Sequence, residues 1–581
     1  MKKLLNRRIA IVAVAVIATV AFFSFKSGDD RNFQIAKNLD IFNAIVKELD
    51  MFYVDTIDPN KTIREGIDNM LYTLDPYTEY YPEEDQSELE QMIKGSFGGI
   101  GSYIAYNTKL KRSMISEPFE GTPAAKAGLK AGDILMEIDG KDLAGKNNAE
   151  VSQMLRGQAG TSFKLKVNRP NAKGGNTPME FTIVRESIQN PAIPYAAVLD
   201  NQVGYINLST FSGNPSKEFK KAFLDLKKQG ATSLVIDLRS NGGGLLDEAV
   251  EIANYFLPRG KVIVTTKGKI KQASNTYKTL REPLDLDIPI AVLVNSGTAS
   301  ASEILSGSLQ DLDRAVIVGN RTFGKGLVQQ PIDFSDGSAI RLTIARYYTP
   351  SGRCIQRPYE SGKDKNYELD IYNRYEHGEF FSRDSIKLNE NERYLTSLGR
   401  TVYGGGGIMP DVFVPQDTTG VTSYLSSVIN RGLTLQFTFQ YTDNNRKKLS
   451  QYETEEDLLN YLRHQGLVEQ FIRFADSKGV KRRNILIQKS YKRLEANIYG
   501  NIIYNMLGLE AYLKYFNKSD ATVQQGIELL EKGEAFPKAP AETEEEVTKD
   551  NKDGKKKRTA QAYGITEDPT RIFDFAEATI S

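Results

Sequence analysis

Histidine and cysteine, the side chains most often recruited as bases, nucleophiles and metal ligands, are scarce in this chain: two histidines and one cysteine among 581 residues. His377 and His464 lie in polar surroundings (Tyr-Glu-His-Gly and Leu-Arg-His-Gln), so a Ser-His-Asp triad is poorly supplied. The lone Cys354 excludes an intrachain disulfide and any cysteine-cluster metal site, and reads as a structural thiol. No His-Glu-x-x-His motif occurs, so metal-dependent hydrolysis is not expected and neither metal nor cofactor is called for. Charge of one sign is also missing. Lys plus Arg number 75 against 74 Asp plus Glu, a net +1 that gives no global reason to expect nucleic acid. What is present, 40% hydrophobic and 10% aromatic residues, suffices for ordinary packed cores in roughly three to five domains.

The N-terminus carries an export signature. Lys2, Lys3, Arg7 and Arg8 precede an apolar or small run from Ile9 to Phe25, closed by Lys26. The run is short for a membrane span and long for the apolar stretch of a cleaved signal. Thr19-Val-Ala21 offers a cleavage site, but Phe22, Phe23 and Phe25 continue the run and favour an uncleaved anchor. Basic residues ahead of it keep the N-terminus cytoplasmic and put the body outside, in a bacterial periplasm or envelope.

From 31 to about 95 the pattern is helical, with Ile41, Phe42, Ile45, Val46 and Leu49 on one face and a break at Leu74-Asp-Pro-Tyr77. After Gly95 the texture turns to short β-type runs divided by glycine. Val203 to Phe211, Leu234 to Leu238, Ile288 to Val294 and Ala315 to Val318 have strand length, and helical patterns after two of them suggest β-α units. Residues 354–400 are charged and tyrosine-rich and read as a surface insertion. Helical pattern resumes from Thr422 to about Lys532, and 537–560 carries acidic and basic clusters expected of a solvated tail. The implied map is a signal or anchor over 1–26, a helical region over 31–96, and a β-rich domain over 97–186. An α/β domain over 187–415 carries the insertion 354–400, and a helical domain over 416–536 and a charged tail over 537–581 complete it.

Three segments of the α/β domain carry candidate chemistry. Leu234-Val-Ile-Asp-Leu238 runs into Arg239-Ser-Asn-Gly-Gly-Gly244, where successive glycines allow positive φ and let N–H groups converge on an anion such as the oxyanion of acyl transfer. A plain tight β-α turn fits the same glycines. The strand ending at Val294 leads through Asn295-Ser-Gly-Thr into Ala299-Ser-Ala-Ser-Glu303, which sets Ser300 near a helix start. The Ala301 amide could there join that of Gly243 or Gly244, although Ser300 and Ser302 read equally well as helix caps. Lys325, in Thr322-Phe-Gly-Lys-Gly326, is a candidate base for that serine provided its pKa is lowered, and its sequence neighbours include no acid. Gln329 could orient the amine.

The same lysine nearly completes another motif. Gly319-Asn-Arg-Thr-Phe-Gly-Lys325 after a strand satisfies seven positions of a phosphate-binding loop, but Gly326 stands where Ser or Thr should bind magnesium. The following Leu327-Val-Gln-Gln-Pro331 looks extended rather than helical, which disfavours nucleotide binding.

These segments resemble the carboxyl-terminal processing peptidases, tail-specific serine proteases with a PDZ domain. The resemblance spans about 35–415 and rests on Leu74-Asp-Pro-Tyr77, Phe97-Gly-Gly-Ile-Gly101, Gly204-Tyr-Ile206 with Phe211, and Asp237-Leu-Arg239 with Asn241–Gly244. It also includes Ala299–Glu303, Thr322–Gly326 with Gln329, and Gly407-Ile-Met-Pro-Asp411. It implies a multidomain α/β protein with a helical N-terminal region, a PDZ-like β-rich domain, a crotonase- or tricorn-core-like protease domain and a helical C-terminal domain. It further implies Ser300 as nucleophile, Lys325 as general base, Gln329 as its orienting partner, and Gly243, Gly244 and Ala301 as the oxyanion hole. The choice of Ser300 over Ser296 or Ser302 rests on the family's spacing. Residues 98–186 resemble the PDZ domain, whose loop Gly99-Ile100-Gly101 would hold a substrate's terminal carboxylate. Arg156 matches a position coupling PDZ docking to activation in some relatives. Thr298 departs from the family's usual serine. The partners implied are proteins with accessible apolar C-termini, with a homo-oligomer or adaptor open and the membrane reached through the N-terminal segment.

Overall fold

A computed structural model describes residues 30–539, except 87–88, 90–91, 93–94, 108–109, 120, 171–174, 190 and 361–364. The expected anchor over 9–25 and most of the expected tail lie outside the described residues. No described helix is long and apolar enough to cross a membrane.

The chain divides into two units, residues 1–80 and 81–581. In the first, residues 30–52 form helix α1 and Pro59–Tyr72 form α2, which starts at Asp58 as N-cap with proline in its first turn. The expected break follows, where Asp75 accepts the N–H groups of Tyr77 and Thr78. The apolar face of α1, including Ile41, Phe42 and Ile45, is exposed.

The second unit begins with a β-rich domain. Strands β1 (Ser96–Gly99), β2 (Ser102–Asn107), β3 (Arg112–Pro118), β4 (Ile134–Ile138), β5 (Ser162–Pro170), β6 (Asn176–Val184) and β7 (Glu186–Gln189) surround the short helix α3 (Pro123–Ala127) and α4 (Asn148–Leu155). Alternation makes the core: along β5, Phe163, Leu165 and Val167 point inward between exposed Lys164 and Lys166. The main sheet runs β2-β3-β4-β5-β6, so β2 is an edge strand, and β1 pairs with β7 at the point where the chain leaves the domain.

The α/β domain is built on a sheet of β8 (Tyr195–Val198), β9 (Val203–Asn207), β10 (Ser233–Asp237), β12 (Ile290–Val294), β13 (Val316–Gly319) and β16 (Val412–Phe413) in that order. All neighbouring pairs are parallel except β8 with β9. The near-continuous apolar strands read from sequence are buried on both faces, as a parallel sheet requires. One face packs on α5 (Pro215–Lys228), α6 (Leu246–Asn254) and α7 (Ala301–Asp311). A second, antiparallel layer pairs β15 (Ala339–Tyr348) with β11 (Val262–Gly268) and β14 (Leu327–Asp333).

Two regions differ from their sequence-based expectation. Residues 354–400, expected as a surface insertion, include the helix α8 (Lys365–Glu376) and bury Arg357 and Arg374. Much of 381–398 is exposed as expected, but Arg357 and Arg374 both pair with Asp370 inside the fold. After 416, α9 (Ser423–Asn430) to α13 (Asn484–Asn517) form their own core, and α13 is interrupted at Gly508. The last helix, α14 (Ala521–Glu531), leaves that core. Its Val523, Ile527, Leu529 and Leu530 cover the other face of the parallel sheet against Val235, Ala291 and Leu293.

Candidate active site

Three adjacent parallel strands, β10, β12 and β13, deliver the candidate residues from their carboxyl ends, the edge where open α/β sheets place their chemistry. The turn after β10 is pinned before it reaches the glycines. Asp237 takes the backbone and side-chain N–H groups of Arg239 and the hydroxyl of Tyr205. Arg239 also pairs with Asp520, the N-cap of α14, at 2.8 Å. Burial alone would weaken the Arg239 charge, but Asp237 and Asp520 over-compensate and hold it as a cation. Asn295 Oδ1 accepts the Ser240 N–H at 2.8 Å and joins the turn to the next loop.

Gly243 has φ +98°, and a Cβ there would sit 2.7 Å from Cβ of Ser300 and 2.9 Å from the amide nitrogen of Ala301. Only glycine fits, and the turn therefore closes directly on the candidate nucleophile. The Gly243 N–H, however, is spent on Asn241 Oδ1 at 2.9 Å, and its carbonyl on Phe211 N–H. Gly243 thus shapes the turn and does not offer a free donor, contrary to its expected role. Gly244 follows at φ +144°, and Ala301 opens α7, where a backbone N–H has no carbonyl a turn back.

Ser300 is half-buried with φ 58° and ψ −118°, a conformation rare outside glycine. Ser302 is fully buried and donates its hydroxyl to Asn241 O at 2.9 Å, which takes it out of contention as a nucleophile.

Two side chains tie the backbone of Ser300 to that of Lys325. Glu303, fully buried, accepts the N–H of Ser300 at 2.9 Å and of Lys325 at 2.9 Å on the same oxygen, Oε2. Its Oε1 accepts the Gly324 N–H at 2.7 Å and the Thr322 hydroxyl. Tyr347 on β15, also buried, brings its hydroxyl to 2.5 Å from Lys325 O and 3.2 Å from Ser300 O. Burial pushes the Glu303 carboxyl up to about 6, and the four donors resist the shift. Glu303 belongs to the quoted motif but carried no expected role. A glutamate three residues past a serine that opens a buried helix was the available signal. The neighbourhood of Lys325, acid-free along the sequence, acquires this carboxylate through the fold.

Lys325 is half-buried. Gln329 follows a register shift in β14 between Val328 and Gln329, and its Nε2 donates to Thr343 Oγ1 at 3.2 Å, which leaves its carbonyl oxygen as an acceptor. The nucleotide-binding alternative does not survive this geometry. The amides of Gly324 and Lys325 face a carboxylate, and the loop runs into strand β14 rather than a helix. Both histidines are exposed and bond helix carbonyls, His377 to Asn373 O and His464 to Asn460 O. No cluster of metal-ligating side chains occurs among the described residues.

In the β-rich domain the loop Gly99-Ile100-Gly101 leads into edge strand β2. Its carbonyls are engaged, Ile100 O by Ala124 N–H and Gly101 O by Phe119 N–H. The N–H groups of Ile100 and Gly101 have no acceptor among the described residues. Arg156, following α4, lies 4.9 Å over the Phe97 ring. It lines a cleft of about 1040 Å³ together with Tyr103, Phe119, Thr210, Leu509 and Leu513, so this domain, the protease core and α13 all contribute walls.

A parallel α/β core carries a strained serine at a helix start, a glycine turn against it and a lysine loop tied to it by shared hydrogen bonds, the outline of a serine hydrolase. Comparisons with known proteins agree on the class. The model of peptidase family S41 matches residues 202–368, that of the PDZ domain residues 114–169, and that of a family of unknown function residues 424–508. A carboxy-terminal-processing protease of Bartonella bacilliformis is 38% identical over 327 residues, which are 56% of this chain and 73% of the relative. A probable CtpA-like serine protease of Staphylococcus aureus is 36% identical over 351 residues, 60% of this chain and 68% of the relative. Among solved structures, a photosystem II D1 C-terminal processing protease is 28% identical, covers 64% of this chain and 92% of its own, and has a TM-score of 0.34. The chain belongs to peptidase family S41, the PDZ-containing carboxyl-terminal processing serine proteases.

Proposed function

We propose that this chain is an exported endopeptidase that docks the C-terminal tail of a protein substrate on its PDZ domain and cleaves with a Ser-Lys pair. Ser300 Oγ attacks the scissile carbonyl while the neutral Lys325 amine takes its proton, with the Gln329 carbonyl orienting that amine. Negative charge developing on the carbonyl oxygen meets the Ala301 and Gly244 N–H groups, while Gly243 holds the turn. The Lys325 ammonium then protonates the leaving amine, and the acyl group stays on Ser300. Water attacks the ester with Lys325 again as base, and the new C-terminus leaves.

The observation that carries this reading is the double tie between Ser300 and Lys325, through Glu303 at both N–H groups and Tyr347 at both carbonyls. Residues so far apart in sequence gain little from such fixing unless their side chains act together. The N–H groups of Ile100 and Gly101, without an acceptor among the described residues and beside an edge strand, suit a terminal carboxylate and an added β-strand. Arg156, at the cleft and against Phe97, would pass docking on to the protease domain. The basic residues and apolar run before Lys26 support export with retention at the inner membrane.

The test is cleavage of an unfolded protein with an apolar C-terminal tail by the full chain in detergent. Ser300→Ala and Lys325→Ala should each remove turnover by about a thousandfold or more. Turnover that persists in either variant rejects the mechanism.

A further inference from the structure

Residues 354–400 leave the protease core and return to it at one point. Gly405 N–H donates to Cys354 O and Gly407 N–H to Ile355 O, each at 2.8 Å. Between those ends the segment turns four of its charged residues, Arg357, Asp370, Arg374 and Glu379, toward the loop that precedes Lys325. Arg374 of α8 is buried, and its Nη1 donates to Thr322 O at 2.7 Å and its Nη2 to Phe323 O at 3.3 Å. Asp370, one turn earlier on α8, pairs with Arg374 at 2.8 Å and with Arg357 at 2.6 Å. Arg357 stacks 4.1 Å over the Phe323 ring and donates its backbone N–H to Gly324 O at 3.0 Å. Glu379 pairs with Arg321 at 2.6 Å.

All four residues before Lys325 are therefore held by this one segment. Arg321 is held through its side chain, Thr322 through its carbonyl, Phe323 through its carbonyl and ring, and Gly324 through its carbonyl. A planar guanidinium is suited to this task, since its fork can reach two successive carbonyls while a third nitrogen faces a carboxylate. Burial and the neighbouring Arg321 bring Arg374 down to about 10, so it remains a cation at neutral pH. A buried cation with such specific partners is costly to keep for bulk stability alone, because an apolar side chain would fill the space at less desolvation cost.

We propose that the 354–400 segment is a brace for the lysine base, and that Arg374 is its central positioning residue. The proposal rests on the reading of Lys325 as the base. Glu303 fixes the loop through its N–H groups and Arg374 through its carbonyls, which limits drift of the base while the serine is deprotonated.

The test uses the full chain with three readouts: kcat and KM on a tail-bearing unfolded substrate, the rate at which a fluorophosphonate probe labels Ser300, and the melting temperature. Arg374→Met should lower kcat and labelling rate together by roughly ten- to hundredfold, with KM within twofold, because a misplaced base slows chemistry without touching tail binding. Arg374→Lys, which keeps the charge and one donor, should recover part of the loss. Glu379→Gln, which releases only Arg321, should lower kcat several-fold and keeps the test alive where Arg374→Met fails to fold. Unchanged kcat in a folded Arg374→Met or Glu379→Gln protein overturns the brace. So does a loss that falls on KM instead of kcat. Lys325→Ala serves as the control: labelling that survives it faults the Ser-Lys reading, whereas labelling lost in Lys325→Ala but intact in Arg374→Met faults the brace alone.

Discussion

Around Ser300 and Lys325 the backbone is spent on internal partners, whereas in the Gly99–Gly101 loop it is left open. Glu303, Tyr347, Asn241 and Arg374 consume N–H groups and carbonyls on the catalytic loops. In the PDZ loop the carbonyls of Ile100 and Gly101 are engaged, while their N–H groups, beside an edge strand, have no acceptor among the described residues. The contrast follows from what each region must do. A catalytic pair has to be held within a fraction of an ångström of reacting geometry, and every internal bond narrows its freedom. A site that binds extended peptide backbone needs unpaired groups to offer, since main-chain hydrogen bonds supply its affinity.

Changes to the held region should cut turnover, and changes to the open region should weaken docking. The largest effect is expected of Gly243→Ala, whose methyl group meets Ser300 Cβ and Ala301 N. It should lower kcat by roughly a thousandfold through a displaced nucleophile and oxyanion donor, read by steady-state kinetics with KM little changed. Glu303→Gln comes next, at about a hundredfold, because an amide nitrogen cannot accept the donors that one carboxylate oxygen now takes.

Glu303 also gives a signature in pH. Its folded pKa of about 6 lies above the ordinary 4.5, so burial favours the neutral form. The stability that the neutral form contributes is present below about 4.5 and lost as pH rises through about 6. Activity runs the other way, because a protonated carboxyl cannot serve all four donors. Protonation of Lys325 lowers turnover on the acid side in any case; turnover should fall by a further step as pH drops through about 6, and a pH–rate profile of Glu303→Gln should lack that further step.

On the open side, amidating the substrate's C-terminus removes a charged acceptor and should raise KM roughly tenfold, read by steady-state kinetics on the free and the amidated substrate. The smallest effect is expected of Tyr347→Phe, which deletes one shared hydroxyl and keeps the packing. A fall in kcat of about fivefold, with unchanged KM, would match one neutral hydrogen bond.

The sequence made much of this legible, because some signals are local. The apolar runs over Leu234–Leu238 and Ile288–Val294 became strands buried on both faces, and three glycines in a row became the turn on Ser300. Ser300 and Lys325 stood out by spacing and by the shortage of histidine. Glu303 stayed hidden, since a glutamate in the first turn of a helix is usually a solvated cap, and only the distant Thr322–Lys325 loop buries it. Part of the 354–400 segment misled for the same reason: charge density reads as solvent exposure unless the partners are known, and Arg357 and Arg374 share Asp370 inside the fold. The helical stretch after 416 gave no sign that α14 would leave its neighbours to cover the protease sheet, because amphipathic period does not name the surface it packs on.

The central claim, that Lys325 activates Ser300, is tested most directly by labelling the full chain with a fluorophosphonate and locating the adduct by tandem mass spectrometry. The account predicts one adduct, on Ser300, in the unaltered protein and none at equal exposure in Lys325→Ala. An adduct on Ser296 or Ser302, or undiminished labelling of Ser300 without Lys325, would contradict it.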